Sequence, residues 1–165
     1  MKKIQWWHKD LEKKNFLKNI KSIIQKEDLT TGNTTKNYEK LISKTLNVKY
    51  SIAVSSGSMG TLLAFMALDV GSNDEVIIPN IGWISVINAC KIIGAKPVLV
   101  DVENDRPIID CKNIEKIINK KTKVIFPIYM NGRAANISEL KKICKKRKIF
   151  LVEDSAQAVG IKKEN

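Results

Sequence analysis

Residues 55–61 (SSGSMGT) combine two glycines with several hydroxyl side chains, between an expected strand and an expected helix. Such a turn lets backbone amides point toward one centre, and the following helix adds the positive end of its dipole. The hydroxyls of Ser56, Ser58 and Thr61 supply further donors. The pattern indicates a phosphate-binding loop, although it is neither a Walker A loop nor a GxGxxG fingerprint. A serine N-cap after a tight turn explains the same residues, so both interpretations stay open.

A tryptophan follows the next expected strand, in residues 79–83 (PNIGW), and stands at the start of a helix. The ring of Trp83 can stack on a planar ligand. It can also pack in the core, which is the commoner role of a lone tryptophan because burial of so large a ring is strongly favourable. The position therefore predicts either a ligand-stacking residue or a core residue.

A third unusual segment, residues 152–158 (VEDSAQA), places acidic side chains at the end of an apolar strand. The carboxylate of Asp154 can accept a hydrogen bond from a protonated ring nitrogen, and it can also cap the next helix. A phosphate-binding loop, an aromatic ring and a carboxylate together match what a flat, phosphorylated, protonated heterocycle requires. This is the ligand class that the three segments predict.

The elements that must position these segments alternate between strand and helix. Short β-branched runs predict strands at 51–54, 75–78, 97–100, 124–127 and 149–153. Helical periodicity predicts helices at 58–68, 83–93, 113–119 and 137–146. This alternation indicates a three-layer α/β fold, with a mainly parallel sheet and helices on both faces. Because ligands bind at the carboxyl ends of parallel strands, the three segments should meet in one crevice.

Two further helices, at 10–26 and 34–46, precede the sheet. Residues 30–33 (TTGN) break the first, and the second ends where Asn47 permits a turn. The sequence therefore predicts an N-terminal helical segment over residues 1–48 and part of a larger α/β domain over residues 49–165. No linker or internal repeat divides the second region.

Composition excludes several other classes of protein. The net charge of +12 comes mainly from scattered lysines rather than from one basic arm, so we expect no nucleic-acid partner. The three cysteines, at positions 90, 111 and 144, lack CxxC spacing, which predicts neither a disulfide framework nor a zinc site. The first ten residues do not resemble a secretory signal, and the apolar stretch 76–89 is too short to span a bilayer. We expect a cytoplasmic protein with no membrane partner.

The ordered motifs resemble those of the DegT/DnrJ/EryC1/StrS family of sugar aminotransferases, a branch of the fold-type I pyridoxal-phosphate enzymes. The resemblance covers nearly the whole chain, through the matching segments 31–32 (TG), 38–46, 56–58 (SGS), 74–79 (DEVIIP), 94–98 (GAKPV), 123–125 (KVI) and 153–158 (EDSAQA). It implies the fold of the large domain of those enzymes, with pyridoxal 5′-phosphate as the cofactor.

By this resemblance, Ser58 and Met59 donate backbone amides to the cofactor phosphate, and Ser58 adds its hydroxyl. Trp83 stacks on the pyridine ring and Asp154 holds the ring nitrogen. Gln157 lies toward the ring hydroxyl and helps to set the tilt of the cofactor. These five residues are the predicted cofactor-binding site.

The sequence departs from the family pattern at two places. The family usually carries histidine and tyrosine where this chain has Tyr129 and Asn131, and a small alanine is common where it has Gly60. These departures bear on sugar contacts more than on cofactor binding.

Family members also continue past the position of Gly160, through a segment that carries the Schiff-base lysine. No segment here matches it, and Lys162 and Lys163 lie too early to be assigned that role. We therefore expect no catalytic residue within these 165 residues, and we expect the chain alone to be inactive.

The resemblance implies transfer of an amino group from a donor such as glutamate to a nucleotide-linked 3-keto or 4-keto sugar, for surface polysaccharide, by a homodimer. A sugar 3-dehydratase of the same family, which replaces the lysine with histidine, stays open, as does a non-catalytic binding module. A nucleic-acid binder is the remaining alternative, and it rests on net charge only.

Overall fold

Two units make up the chain in this computed structural model, residues Met1–Ala53 and Val54–Asn165. The structure describes residues 13–26 and 32–161. Part of the first predicted helix, residues 10–12, lies outside the described residues, as do Thr31, Lys162 and Lys163.

The N-terminal unit contains two amphipathic helices, α1 (Lys13–Gln25) and α2 (Asn33–Leu46), as the helical periodicity predicts. Helix α2 ends because Asn47 adopts a left-handed conformation, with φ 52° and ψ 46°. The N–H of Val48 then donates to the carbonyl of Ser43 at 2.9 Å, which satisfies one of the last helical carbonyls.

The predicted strand at 51–54 is wrong, because these residues form no regular strand. A β-branched run needs a neighbouring strand to satisfy its backbone groups. Here the N–H of Ala53 donates instead to the side chain of Glu39 at 2.8 Å. Ile52, which a buried strand would cover, is 79% exposed.

The C-terminal unit alternates helices and strands in the predicted order. Its elements are α3 (Gly57–Ala67), β1 (Glu75–Pro79), α4 (Ile84–Ile92), β2 (Lys96–Val100), α5 (Cys111–Ile117), β3 (Thr122–Ile125), a 3-10 turn (Met130–Gly132), α6 (Ile137–Arg147) and β4 (Phe150–Leu151). The four strands form a parallel sheet in the order β2-β1-β3-β4. The predicted α/β class and parallel sheet are confirmed.

Side chains that alternate along the strands build a separate core on each face of the sheet. Ile77 and Ile125 pack with residues of α5 and α6 on one face. Val76, Val124 and Phe126 pack with residues of α3 and α4 on the other face. Helices therefore cover both faces, which confirms the predicted three layers.

Helix α5 and strand β3 each begin two residues earlier than their sequence patterns predict. Helix α5 starts at Cys111 because the side chain of Asp110 accepts from the N–H of Lys112 at 2.9 Å and caps the helix. Strand β3 starts at Thr122 and ends at Ile125. Pro127, which the prediction placed inside the strand, has no N–H to continue the ladder.

A buried carboxylate at the start of β1 ties three segments together. Glu75 is 6% exposed, and its two oxygens accept from Asn119 Nδ2 at 2.7 Å and from Lys96 Nζ at 3.0 Å. Both hydrogen bonds favour the charged form and hold the pKa of the Glu75 carboxyl below its usual range. The bond from Asn119 has the larger effect and the bond from Lys96 the smaller one.

We expect Glu75→Gln to lower the free energy of unfolding by about 1–3 kcal/mol at pH 7, because the amide oxygen can accept from only one of the two donors and the NH₂ group faces the other. The folded-state pKa of Glu75 lies below the unfolded value of about 4.3. Its stabilisation is therefore present above about pH 4.3 and is lost as the pH falls through the folded pKa. Urea unfolding at pH 7 and pH 3, followed by circular dichroism, measures both effects.

The matched control is Lys96→Met, which removes a partner whose side chain is 73% exposed. Because the Lys96 side chain is mostly exposed and Asn119 still donates to the carboxylate, this variant should lower the free energy of unfolding less than Glu75→Gln does. Equal stability of Glu75→Gln and the wild type at pH 7 would contradict the prediction.

Candidate functional site

The carboxyl ends of β1, β3 and β4 open into a cleft of about 630 Å³, as the parallel topology predicts. The N-termini of α3 and α4 border the same cleft. Three of the five predicted site residues line it, namely Ser58, Trp83 and Asp154. Met59 and Gln157 are not among its lining residues, and their contacts with a ligand stay predictions.

The N-terminus of α3 presents two unpaired backbone amides to the cleft. Ser56 is the N-cap, and its Oγ accepts from the N–H of Met59 at 3.3 Å. The N–H groups of Gly57 and Ser58 have no acceptor within the described part of the chain. The structure confirms the serine N-cap, and the phosphate-binding interpretation of residues 55–61 stays a prediction that the two unpaired amides support.

The hydroxyl groups of this loop differ from one another in the structure. The Thr61 hydroxyl donates to the carbonyl of Gly57 at 3.2 Å, and its role as a donor to the ligand stays a prediction. This bond follows from its place in the first turn of α3, where a threonine hydroxyl reaches the carbonyl four residues earlier. Ser58 is exposed at the cleft and carries the hydroxyl best placed to bind an anion.

Trp83 lies at the mouth of the cleft rather than in the core. It is the N-cap of α4 and its residue is 55% exposed. The preceding Gly82 lies close to Ile128, since a Cβ there would be 2.4 Å from Ile128 Cδ1. An alanine at position 82 would displace Ile128, so glycine allows the tight approach of this turn to the sheet. The exposed indole is open to stacking on a planar ligand.

Backbone hydrogen bonds fix the position of Asp154, which lies three residues beyond the end of β4. Its N–H donates to the carbonyl of Pro127 at 3.0 Å, and its carbonyl accepts from the N–H of Tyr129 at 3.0 Å. One carboxylate oxygen, Oδ1, accepts from the N–H of Ala156 at 3.1 Å. The other, Oδ2, has no hydrogen-bond partner among residues 13–26 and 32–161, and Asp154 lines the cleft.

Phe126 is a site residue that the sequence patterns did not single out. Its ring lies at the cleft and packs edge-on against Phe65, with centroids 5.5 Å apart and an interplanar angle of 76°. The residue is only 2% exposed. A signal was present in the sequence, because Phe126 alternates with Val124 on one face just after β3.

Gln157 and Asn131 form a contact beside the cleft. The side-chain oxygen of Gln157 accepts from the N–H of Asn131 at 2.7 Å, where Asn131 has a left-handed φ of 56°. This bond uses one of the two acceptor sites of the Gln157 oxygen and leaves its NH₂ group without a partner among the described residues. Gln157 can therefore donate to a neighbouring ligand atom through its NH₂ group.

Other chemistries find little support in the described residues. No group of three or more His, Cys, Asp or Glu side chains there could hold a metal ion. Cys90, Cys111 and Cys144 are buried, and burial raises their thiol pKa values to about 11, 12 and 11. They are poor nucleophiles at neutral pH. Within the described ranges, no helix has the length and apolar character needed to cross a membrane.

Comparison with protein families gives a match over nearly the whole chain. Residues 10–165 match the model of the DegT/DnrJ/EryC1/StrS aminotransferase family. The match includes both units and every segment that lines the cleft.

Solved structures of similar proteins extend this comparison. NtdA from Bacillus subtilis, solved with bound cofactor PMP, is 28% identical with a TM-score of 0.90, over 93% of this chain and 35% of NtdA. The PMP form of the putative sugar aminotransferase Spr1654 from Streptococcus pneumoniae is 26% identical with a TM-score of 0.89. That match covers 95% of this chain and 43% of Spr1654. The GDP-4-keto-6-deoxy-D-mannose-3-dehydratase of E. coli, with bound hydrated PLP, is 30% identical with a TM-score of 0.85, over 98% and 42%. The chain thus spans less than half the length of each.

Proposed function

The chain belongs to the DegT/DnrJ/EryC1/StrS aminotransferase family, and from this we propose that its cleft binds pyridoxal 5′-phosphate for amino-group transfer to a nucleotide-linked keto sugar. One observation carries the proposal. A single cleft joins the free amides of α3, the exposed ring of Trp83 and the open carboxylate oxygen of Asp154. These are a phosphate site, a stacking surface and a partner for a protonated ring nitrogen.

The donors and acceptors of the cleft fit this cofactor one by one. The N–H groups of Gly57 and Ser58, with the Ser58 hydroxyl, would hold the phosphate at the positive end of α3. Trp83 would cover one face of the ring. The Oδ2 atom of Asp154 would accept from the ring nitrogen, while the N–H of Ala156 keeps the other oxygen in place. When bound, the cofactor supplies an electron sink for the transfer of an amino group.

The residues of this chain contribute binding, orientation and control of one proton. A carboxylate beside the ring nitrogen favours its protonated form, because an opposite charge within hydrogen-bond distance stabilises the cation. Trp83 and the buried Phe126 give the cleft apolar walls, and these exclude water from the ring. The N-terminus of α3 would bind the phosphate as a fixed anchor and so restrict the orientation of the ring.

The whole reaction is proposed by analogy with longer proteins, since the chain spans 35% to 44% of the length of the matched structures. We propose a cytoplasmic homodimer that takes the amino group from a donor such as glutamate. The acceptor would be a 3-keto or 4-keto sugar linked to a nucleotide, used for surface polysaccharide. The similarity to the putative sugar aminotransferase Spr1654 supports a sugar acceptor, and the similarity to the GDP-4-keto-6-deoxy-D-mannose-3-dehydratase supports a nucleotide-linked keto sugar.

A sugar 3-dehydratase is the second candidate, and the similarity to the E. coli dehydratase, at 30% identity, favours it. The two activities give different products from a nucleotide-linked 4-keto-6-deoxy sugar and glutamate. An aminotransferase replaces the keto oxygen with an amino group, whereas a dehydratase removes the 3-hydroxyl. Because we expect the chain alone to be inactive, mass spectrometry of the sugar product distinguishes them in a protein that also carries the segment with the Schiff-base position. Binding without either product in that protein would indicate a non-catalytic binding module.

Titration of the purified chain with pyridoxal phosphate, followed by absorbance, tests the binding proposal. We expect saturable binding, and we expect pyridoxal without its phosphate to bind at least about tenfold more weakly, since each hydrogen bond to a charged group contributes about 1.5–3 kcal/mol. Ser58→Ala should weaken binding of the phosphate form by about threefold to tenfold and should leave binding of pyridoxal unchanged.

The matched control is Ser72→Ala, because Ser72 is exposed in the turn between α3 and β1 and does not line the cleft. This variant should bind like the wild type. The proposal fails if the wild-type chain shows no saturable binding. If pyridoxal and pyridoxal phosphate bind equally well, the assignment of the phosphate site to the N-terminus of α3 is wrong.

A further inference from the structure

Tyr129 and Glu153 form a hydrogen-bonded pair next to Asp154, and the proposed cofactor contacts use neither side chain. The phenol O–H of Tyr129 donates to Glu153 Oε2 at 2.7 Å. Tyr129 is 5% exposed and packs in the core on the α5 and α6 face of the sheet. A buried polar group with one well-defined partner costs free energy when that partner is lost, so the pair is a fixed contact.

The same tyrosine also holds Asp154 through the backbone. Its N–H donates to the carbonyl of Asp154 at 3.0 Å, and the N–H of Asp154 donates to the carbonyl of Pro127 at 3.0 Å. Tyr129 therefore contacts two consecutive residues of the neighbouring segment. One contact is made by its backbone and the other by its side chain.

These contacts matter because regular pairing ends before the site. Strand β4 is only Phe150–Leu151, and its last ladder pair joins Leu151 to Ile125. Asp154 lies three residues further on and pairs only through an isolated bridge to Ile128. Few other bonds order this strand end, so the orientation of the Asp154 carboxylate depends on them.

The charge of Glu153 gives the pair a second consequence. Glu153 also lines the cleft, one residue before Asp154. Without the Tyr129 hydroxyl its carboxylate would be free to turn and compete with Asp154 for a cationic group. Burial and the neighbouring Glu153 raise the pKa of the Tyr129 phenol far above its ordinary value, so the hydroxyl keeps its proton at neutral pH.

We propose that Tyr129 is a positioning residue, which fixes the Glu153 side chain and the Asp154 backbone so that the Asp154 carboxylate faces the cleft. It acts through these two residues and does not touch the ligand itself. The role in cofactor binding rests on the proposed function. The ordering of the strand end is a property of the chain alone and can be measured without cofactor.

The first test uses the cofactor-free chain and Tyr129→Phe, which keeps the ring and its packing. Hydrogen exchange followed by NMR should show that the amide of Asp154 exchanges about tenfold faster in the variant. The amide of Phe126, which donates to Ile77 in the sheet at 2.8 Å, should keep its rate. Unchanged exchange at Asp154, or an equal rise at both amides, overturns the positioning role.

The second test measures pyridoxal phosphate affinity in a double-mutant cycle. Tyr129→Phe should weaken binding by about threefold to tenfold, and it should have little further effect in a chain that already carries Glu153→Ala. Full additivity of the two changes would overturn the action through Glu153. Ile143→Val, in the same apolar cluster, controls for loss of stability and should leave affinity unchanged.

The two proposals fail in different ways. If the wild-type chain binds no pyridoxal phosphate, the proposed function fails, and exchange at Asp154 still decides whether Tyr129 orders the strand end. If the wild type binds cofactor and Tyr129→Phe binds it equally well with unchanged exchange at Asp154, the positioning role fails alone.

Discussion

Asp154→Ala is expected to weaken pyridoxal phosphate binding by about 10- to 100-fold. The carboxylate oxygen that faces the cleft is the only acceptor we assign to the protonated ring nitrogen, and a charge-assisted hydrogen bond contributes about 1.5–3 kcal/mol. A factor of ten in affinity corresponds to about 1.4 kcal/mol. Absorbance titration at pH 7 measures the dissociation constant directly.

Asp154→Asn separates the charge of the residue from the hydrogen bond that its side chain accepts from the backbone. Its side-chain oxygen can still accept from the N–H of Ala156, the bond that Asp154 Oδ1 makes at 3.1 Å. The variant should therefore keep the stability of the wild type while losing much of the affinity. Wild-type affinity in both variants would show that the ring nitrogen has another partner, and Asp154 would then lose its assigned role.

Phe126→Ala is expected to lower the free energy of unfolding by about 3–5 kcal/mol, the usual cost of removing a buried ring and leaving a cavity. Phe126 is 2% exposed, and its edge-on contact with Phe65 would be lost as well. Urea unfolding monitored by circular dichroism measures the change. A loss of this size is a large part of the stability of an ordinary domain.

Phe150→Ala is the matched control, since Phe150 lies in β4 and is 47% exposed. Phe150→Ala should lower the free energy of unfolding far less than Phe126→Ala does. Phe126→Leu keeps most of the volume and guards against a variant that fails to fold. A loss below about 1 kcal/mol for Phe126→Ala would contradict the assignment of this residue to the core.

The general position of the site could be predicted from sequence because it depends on local patterns. Ser58 lies in a turn rich in glycine and serine, Trp83 is the aromatic residue of its segment, and Asp154 lies in an acidic segment. The alternation of strands and helices brings the ends of the parallel strands together. The family resemblance added which group each residue would bind. The N-cap of α3 and the start of α4 are local features of the same kind.

The contacts between distant segments could not be predicted in the same way. The bonds from Tyr129 to Glu153 and from Asn131 to Gln157 join residues 24 and 26 positions apart. They depend on the register of two segments, which no pattern within either segment fixes. The predicted strand at 51–54 was wrong for a related reason, because β-branched composition does not supply a neighbouring strand.

The burial of the three cysteines has a practical consequence for work on this chain. The pKa values of the three thiols are about 11, 12 and 11, so only a minute fraction of each cysteine is present as thiolate at pH 7. None of the three is at the surface. The folded chain should resist oxidation and react slowly with maleimides. A cysteine introduced at Ile84, which is 65% exposed beside the cleft, would carry a fluorescent label selectively and without removal of the native thiols.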